Sequence, residues 1–151
     1  MQIVTDRGAD LSAKQLEDLG IEVHYLPLMI TIDGKVYKSG VDISAEEFYD
    51  LQGKAEEIPT TSQPSPGDFK DLYSKLAKKD PDILSIHISS GLSGTINSAR
   101  LGAKEVPEAN VEIYDTKTLS GAQGWHVEVA AKAIRQGLDK SRILSLLRQV
   151  T

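Results

Sequence analysis

Residues 82–106 read DILSIHISSGLSGTINSARLGAKEV, and this stretch decides the fold class. Asp82–Ile88 is a short, largely apolar run, which predicts a buried strand. Apolar side chains then recur at the spacing of an amphipathic helix, at Ile96, Ala99, Ala103 and Val106. The segment between them, Ser89–Thr95, contains two glycines and four hydroxyl side chains. A strand that passes through a polar loop into a helix is typical of an α/β sheet.

The rest of the chain repeats this alternation of strands and helices. Short apolar runs predict further strands, at Gln2–Thr5, Glu22–Leu26, Leu28–Thr31 and Val111–Tyr114. The last two predicted helices begin near Ser120 and Asp139. We therefore predict an α/β fold, a three-layer domain with a largely parallel sheet flanked by helices. Asp33-Gly34 lies between two apolar runs and predicts a small antiparallel hairpin in addition.

The starts of three further helices are marked by capping residues. Ser12 and Ser44 are each followed, three residues later, by Gln or Glu, which is the pattern of a capping box. Ser65 precedes Pro66, and this pair is typical of an N-cap followed by the first helical residue. The segment TTSQPSP, residues 60–66, leads into that helix, and we interpret it as a loop.

Composition excludes several classes of function. The chain has 151 residues, 26% of them charged, with a net charge of −5 and no basic stripe, so we predict no nucleic-acid partner. It has no Cys, and its three His residues share no metal-ligand spacing, so no metal site and no cofactor are predicted. No apolar run is long enough for a membrane span, and the N-terminus does not resemble a signal peptide. The expected location is the cytoplasm.

Hydroxyl groups and predicted helix N-termini follow several of the strands. These segments are Thr5–Arg7, Ser89–Thr95 and Asp115–Thr118. In open α/β sheets ligands bind beyond the carboxyl ends of the strands, and a helix N-terminus favours an anion. The same residues also serve as ordinary caps and turns, so an anion site and a purely structural role both remain open. The loop lacks the spacing of a Walker A motif and of a nucleophile elbow.

Five segments taken together resemble the DegV family. They are IVTDRGADL, LPLMITIDGKVYKSGVDISAEEFYDL, PTTSQPSPGDF, IHISSGLSGTINSAR and VEIYDTKTLSGAQG, and they occur in order through essentially the whole chain. The resemblance implies a bacterial lipid-binding carrier that holds a long-chain fatty acid in an apolar tunnel and is not itself an enzyme. It implies that Thr61, Ser62, Ser93 and Gly94 hold the carboxylate, and that a partner kinase phosphorylates it to form an acyl phosphate.

The chain departs from the family pattern in two ways. Arg7 stands where the family usually has Ser, and it either pairs with an anion or points to water. Residues 1–151 resemble the N-terminal domain alone, and the second family domain is absent from this chain. We therefore expect self-association through the uncovered face, or weak lipid binding.

Two other functional classes compete with the carrier interpretation. One is an enzyme that acts on a phosphorylated or carboxylated small molecule at the same strand ends, with Asp6, Asp115 and Ser93 as its working residues. In that interpretation the two carboxylates supply acid–base chemistry, whereas they more often cap loops and helix starts. The other is a regulatory or interaction module that binds protein through the TTSQPSP segment and the edge left by the expected truncation.

Overall fold

A computed structural model describes residues 1–151, and its elements alternate between strand and helix. The strands are β1 (Gln2–Asp6), β2 (Val23–Leu26), β3 (Met29–Ile32), β4 (Lys35–Lys38), β5 (Thr60–Ser62), β6 (Asp82–His87) and β7 (Asn110–Asp115). The helices are α1 (Ala13–Leu19), α2 (Ala45–Gln52), α3 (Pro66–Ala77), α4 (Thr95–Lys104), α5 (Ser120–Arg135) and α6 (Lys140–Val150). A short 3-10 turn, Arg7–Ala9, follows β1.

Four strands form a parallel sheet, sheet A, in the order β2-β1-β6-β7. Alternate residues of its strands enter two separate cores because successive side chains point to opposite faces. Leu84 packs with Val127 of α5 and Ile143 of α6 on one face, while Ile83 packs with Phe69 of α3 on the other. Helices thus cover both faces, as parallel sheets require. The predicted three-layer α/β fold is confirmed.

Three strands form a second, antiparallel sheet, sheet B, in the order β4-β3-β5. The predicted hairpin joins β3 to β4, with φ of 45° at Asp33 and 78° at Gly34, as a type I′ turn requires. The prediction of a loop for the whole TTSQPSP segment is wrong at Thr60–Ser62, which form β5. These residues are polar and exposed, so hydropathy gives no sign of a strand. They pair with the free edge of β3, a contact that the local sequence does not encode.

The predicted helix starts are confirmed. Ser12 and Ser44 both form complete capping boxes, with Gln15 and Glu47 respectively. Ser65 caps α3, with Pro66 in the first turn. These caps fix where each helix begins relative to the sheet. No helix of the fold is both long enough and apolar enough to cross a bilayer.

Candidate functional site

The carboxyl ends of β1, β6 and β7 lie side by side at one edge of sheet A, and α4 and α5 begin there. Between β6 and α4 runs a loop, Ile88–Gly94, that we call the rim loop. Its backbone is held by the β7–α5 connection, since the Ser89 N–H donates to the Thr118 carbonyl at 2.9 Å. The Ser90 N–H donates to the Asp115 carboxylate at 3.2 Å. The rim loop is therefore fixed by hydrogen bonds from a neighbouring strand end.

Ser93 and Gly94 lie at the start of α4. The Ser93 hydroxyl is 2.9 Å from the Thr95 hydroxyl and accepts the Thr95 N–H at 3.3 Å, so it caps the first turn. The Ser93 N–H donates to the Ser89 carbonyl at 3.1 Å and is not available to a ligand. Gly94 is the N-cap and supplies no side-chain cap. The cap role and a ligand role for the Ser93 hydroxyl are compatible, because its oxygen can accept from Thr95 while its proton is donated elsewhere.

The TTSQPS and GLSGT motifs meet in space. A Cβ added at Gly94 would lie 2.7 Å from Gln63 Nε2, so the Gln63 amide rests directly against the glycine. Only a residue without a side chain allows this approach. The structure thus brings together the two segments that the family resemblance implies hold the carboxylate, although they are about thirty residues apart.

Thr61 and Ser62 point to opposite faces of sheet B. Thr61 is paired with Ile30 across the β3–β5 ladder, and Ser62 is paired with Met29. Directly opposed residues share a face, and successive residues of one strand alternate. Ile30 lines a partly apolar groove, so Thr61 is on the groove side of sheet B and Ser62 is on the other. Both side chains are exposed.

This groove lies between the end of β1 and the unit formed by sheet B and α2. It has a volume of about 300 Å³. Its apolar lining consists of Leu11, Ile30, Ile43, Ala45, Phe48 and Tyr49. Arg7, Asp10 and Ser44 are among the polar residues at its walls. Small-molecule sites have volumes of roughly 300–1,000 Å³, so the groove is at the lower end of that range.

Arg7 is held by packing at the wall of the groove. Its guanidinium carbon lies 4.8 Å from the centre of the Tyr25 ring, a cation–π contact. The Nη2 group donates to the Gly40 carbonyl at 3.5 Å. A Cβ at Gly40 would come within 2.8 Å of the guanidinium, and φ there is +69°. Arg7 therefore neither points freely to water nor pairs with a carboxylate of this chain; it links the end of β1 to β2 and to the β4–α2 connection.

Asp6 and His87 form a buried pair that the sequence reasoning missed. The Asp6 carboxylate accepts from His87 Nδ1 at 2.8 Å, and both side chains are 0% exposed. The two residues are 81 positions apart, so no local pattern links them. What could have indicated the pair is the position of its members. Each is the last residue of a strand, and β1 and β6 are adjacent and parallel.

Asp115 is also held in a structural role. Its carboxylate accepts from Lys117 Nζ at 2.7 Å and from two backbone N–H groups. Partial burial acts to raise its pKa, but these hydrogen bonds outweigh burial and lower the pKa to about 2. Asp6 and Asp115 are separated by strand β6. A general acid or base works best with a pKa near the operating pH, so this arrangement favours the capping role over a catalytic carboxylate pair.

Backbone strain is concentrated at the same edge. Outside glycine, four residues have positive φ, and three of them are at this edge: Asp10, Lys117 and Ser120. The Ser120 hydroxyl donates to the Asp10 carboxylate at 3.2 Å, which ties two of these positions together. Residues in sparsely populated conformations cluster at functional sites. This observation independently marks the carboxyl edge of sheet A as the candidate site.

A family model and a related protein both point to the same family. A family model described as "Uncharacterised protein, DegV family" matches residues 1–151. A DegV domain-containing protein of Staphylococcus aureus strain N315 is 38% identical over 148 residues, covering 98% of this chain and 52% of the relative. The chain thus spans about half the length of this relative.

Solved structures agree with the sequence match. DegV of Bacillus subtilis, described as a fatty acid binding protein, has a TM-score of 0.91 at 32% identity, with 98% of this chain and 52% of that chain covered. A DegV family protein of Thermus thermophilus, described by its fatty acid binding, has a TM-score of 0.86 at 35% identity, covering 99% of this chain and 52% of that chain. Family model, sequence and fold coincide over the whole length, and the chain belongs to the DegV family.

Proposed function

We propose that this chain binds a long-chain fatty acid, with the carboxylate at the rim loop and the acyl tail along the apolar groove. The observation that carries the proposal is the contact between Gln63 and Gly94, which joins two hydroxyl-bearing motifs. The description of the Bacillus subtilis and Thermus thermophilus relatives as fatty-acid-binding proteins supports the choice of ligand.

Within this proposal the carboxylate head group of the fatty acid is held by Thr61, Ser62, Ser93 and Gly94. These residues contribute unequally to its binding. Thr61 is on the groove face of sheet B and Ser62 is on the opposite face, so we assign the larger share to Thr61. A hydrogen bond to a charged acceptor contributes about 1.5–3 kcal/mol. Each buried CH₂ of the tail contributes about 0.8 kcal/mol before costs. The tail therefore supplies most of the affinity, and the hydroxyls fix the orientation of the carboxylate.

The chain acts in this proposal as a carrier, and a separate kinase transfers a phosphoryl group to the bound carboxylate. The sequence carries no Walker A loop that would bind nucleotide, which supports a division of labour between two proteins. The carboxylate lies at the rim in this arrangement, where a partner can reach it. A kinase that uses cellular nucleotide requires the cytoplasm as the location.

We propose further that residues 1–151 correspond to the first of two family domains, and that a second domain covers the groove in longer relatives. The half-length match to those relatives supports this assignment. Trp125 of α5 is 61% exposed and lies beside Val150 of α6, which is 39% exposed, so the two form an exposed apolar patch. Such a surface favours self-association. Light scattering at increasing protein concentration tests this part.

Native mass spectrometry of the freshly purified chain, followed by organic extraction, tests the ligand. The expected result is extra mass that matches a fatty acid. Competition between an acid and the alcohol of the same chain length then tests the head-group site, since only the acid is charged. Equal binding of acid and alcohol contradicts a carboxylate site at the rim.

Two neighbouring substitutions test the assignment of the hydroxyls. Thr61→Val removes a hydroxyl from the groove face, and we expect a loss of fatty-acid affinity of about tenfold or more. Ser62→Ala is the matched comparison, because loss of a hydroxyl from the opposite face should cost clearly less affinity than Thr61→Val. Binding is measured by displacement of a fluorescent fatty acid. A larger effect for Ser62→Ala than for Thr61→Val overturns the assignment.

A further inference from the structure

Four buried side chains form a hydrogen-bonded series that runs beneath the rim loop from α3 to β1. Tyr73 Oη is 2.7 Å from Ser85 Oγ, and Ser85 Oγ is 2.7 Å from His87 Nε2. His87 Nδ1 is 2.8 Å from Asp6 Oδ2. All four side chains are 0% exposed, so no water competes for these hydrogen bonds. The proposed ligand site does not use any of them directly.

The direction of these hydrogen bonds is set by Tyr73, which stands at one end of the series. Ser85 is the only partner of the buried Tyr73 hydroxyl, whose proton would be left without an acceptor unless Tyr73 donates to Ser85. The Ser85 proton in turn has no acceptor other than His87 Nε2, so Nε2 accepts it. The single ring proton of His87 is therefore on Nδ1, from which it is donated to Asp6. This assignment makes the imidazole neutral and leaves the carboxylate ionised.

The Asp6 carboxylate accepts hydrogen bonds from the 3-10 turn, from α5, from β6 and from the rim loop, which meet at the edge of sheet A. One carboxylate oxygen accepts from the Gly8 N–H at 2.8 Å and from Gln123 Nε2 of α5 at 3.1 Å. The other accepts from His87 and from the Ile88 N–H at 3.2 Å. Burial acts to raise the pKa of Asp6, but the His87 hydrogen bond and the other donors outweigh it and keep the pKa below its ordinary value.

The surroundings of His87 are compatible with a neutral ring. The His87 and Phe69 rings are nearly perpendicular, with centres 5.2 Å apart. On β7 the residue in register is Asp115, whose charge is already paired with Lys117. On α3, burial raises the pKa of the Tyr73 hydroxyl, so it remains a donor. The ionisable groups that face His87 are thus the Asp6 carboxylate, the paired Asp115 and the neutral Tyr73.

We propose that His87 and Asp6 are positioning residues for the head-group site. His87, held as the Nδ1–H tautomer by Tyr73 and Ser85, orients the Asp6 carboxylate, and Asp6 fixes the Ile88 N–H at the first residue of the rim loop. The step from rim-loop position to ligand affinity rests on the proposed function. The tautomer and the effect on the rim loop do not.

The tautomer is tested in the unaltered protein by ¹⁵N NMR of the imidazole rings. We expect one protonated nitrogen, Nδ1, and one unprotonated nitrogen, Nε2, for His87 near neutral pH. A ring with its proton on Nε2, or with both nitrogens protonated, overturns the proposal. This measurement does not depend on whether any variant folds.

Positioning is tested by His87→Asn and His87→Gln. The Asn amide nitrogen reaches the place of Nδ1 and can still donate to Asp6, whereas the Gln amide reaches the place of Nε2 and cannot. We expect Asn to keep slow amide exchange at Ile88 and Ser89, and Gln to speed it about tenfold or more. His126→Asn is the control, because His126 is also buried and has no contact with Asp6.

Fatty-acid affinity is measured on the same variants. The expected order is unaltered protein, then Asn, then Gln, with Gln weaker by about tenfold or more. Equal effects of Asn and Gln on exchange, or a rim loop that Gln leaves unchanged, overturn the positioning role. If the unaltered chain binds no fatty acid while Gln still loosens the rim loop, the proposed function fails and the positioning role stands.

Discussion

Sheet A and sheet B are stabilised by different interactions. In sheet A, β6 is buried from Ile83 to His87, and helices cover both faces. In sheet B, all of β5 and most of β4 are exposed, and α2 has no buried residue. Sheet A is thus stabilised mainly by apolar burial, and sheet B mainly by its hydrogen-bonded ladder and turn. Sheet B should therefore open locally at a lower free energy than sheet A.

The candidate site lies where these two regions meet. The rim loop and the buried Asp6–His87 pair belong to the rigid region, and they present polar groups with fixed geometry. Ile30 and Phe48 belong to the exposed region and form an apolar wall. A rigid polar end suits a carboxylate, whereas a compliant apolar wall tolerates acyl chains of different length. The difference between the sheets is therefore matched to the two ends of the proposed ligand.

The two phenylalanines of the chain give the largest expected contrast between the regions. Phe69 is 0% exposed in the core beneath sheet A, and Phe69→Ala should lower the free energy of unfolding by about 3–5 kcal/mol. Phe48 is half-buried at the groove wall, and Phe48→Ala should cost about 1 kcal/mol or less while weakening fatty-acid binding. Urea denaturation measures both values. Similar losses of stability would show that sheet B and α2 belong to the same cooperative core.

Asp33 tests the independence of sheet B. Its carboxylate accepts from the N–H groups of Glu56 and Glu57, at 3.1 and 3.2 Å, and so ties the hairpin to the segment before β5. Asp33→Asn keeps the turn but replaces a charged acceptor by a neutral one. We expect hydrogen exchange to quicken several-fold in sheet B, for a loss of about 1 kcal/mol, and to stay unchanged in sheet A.

Asp18→Asn serves as the control for that experiment. Asp18 is an exposed carboxylate on α1 that pairs with Lys14, so its loss removes a charge without touching sheet B. Faster exchange in sheet A after Asp33→Asn would contradict the separation of the two regions.

Substitution of Asp115 has the smallest expected effect on stability, and this effect is confined to acidic pH. Its pKa is lowered from 3.8 to about 2 in the folded chain, so below pH 4 the unfolded chain binds the proton first. Its contribution to stability is therefore complete above about pH 4 and is lost as the pH falls toward 2. Asp115→Asn should flatten the decline of Tm across that interval while sheet B is unaffected. An unchanged slope would mean that Asp115 gains nothing on folding from its hydrogen bonds to Lys117 and Ser90.

The sequence was informative wherever the interaction is local. Ser12, Ser44 and Ser65 cap helices through groups within three residues, and the Asp33-Gly34 turn needs only its own conformational preference. The Asp6–His87 pair depends on the alignment of two strand ends 81 residues apart. Its one trace in the sequence is that Asp6 and His87 both lie at or beside the end of a predicted strand.

The other features of the site depend on which strands pair and in which register. Only the pairing of β5 with β3 makes Thr60–Ser62 a strand, and only its register separates Thr61 from Ser62. The sequence by itself determined the order of elements, their caps and the family motifs, because hydropathy period, turn preference and capping act over a few residues. The tertiary structure alone decided which hydroxyl faces the groove, where Arg7 packs and which carboxylates are buried, because those depend on contacts between segments that are distant along the chain.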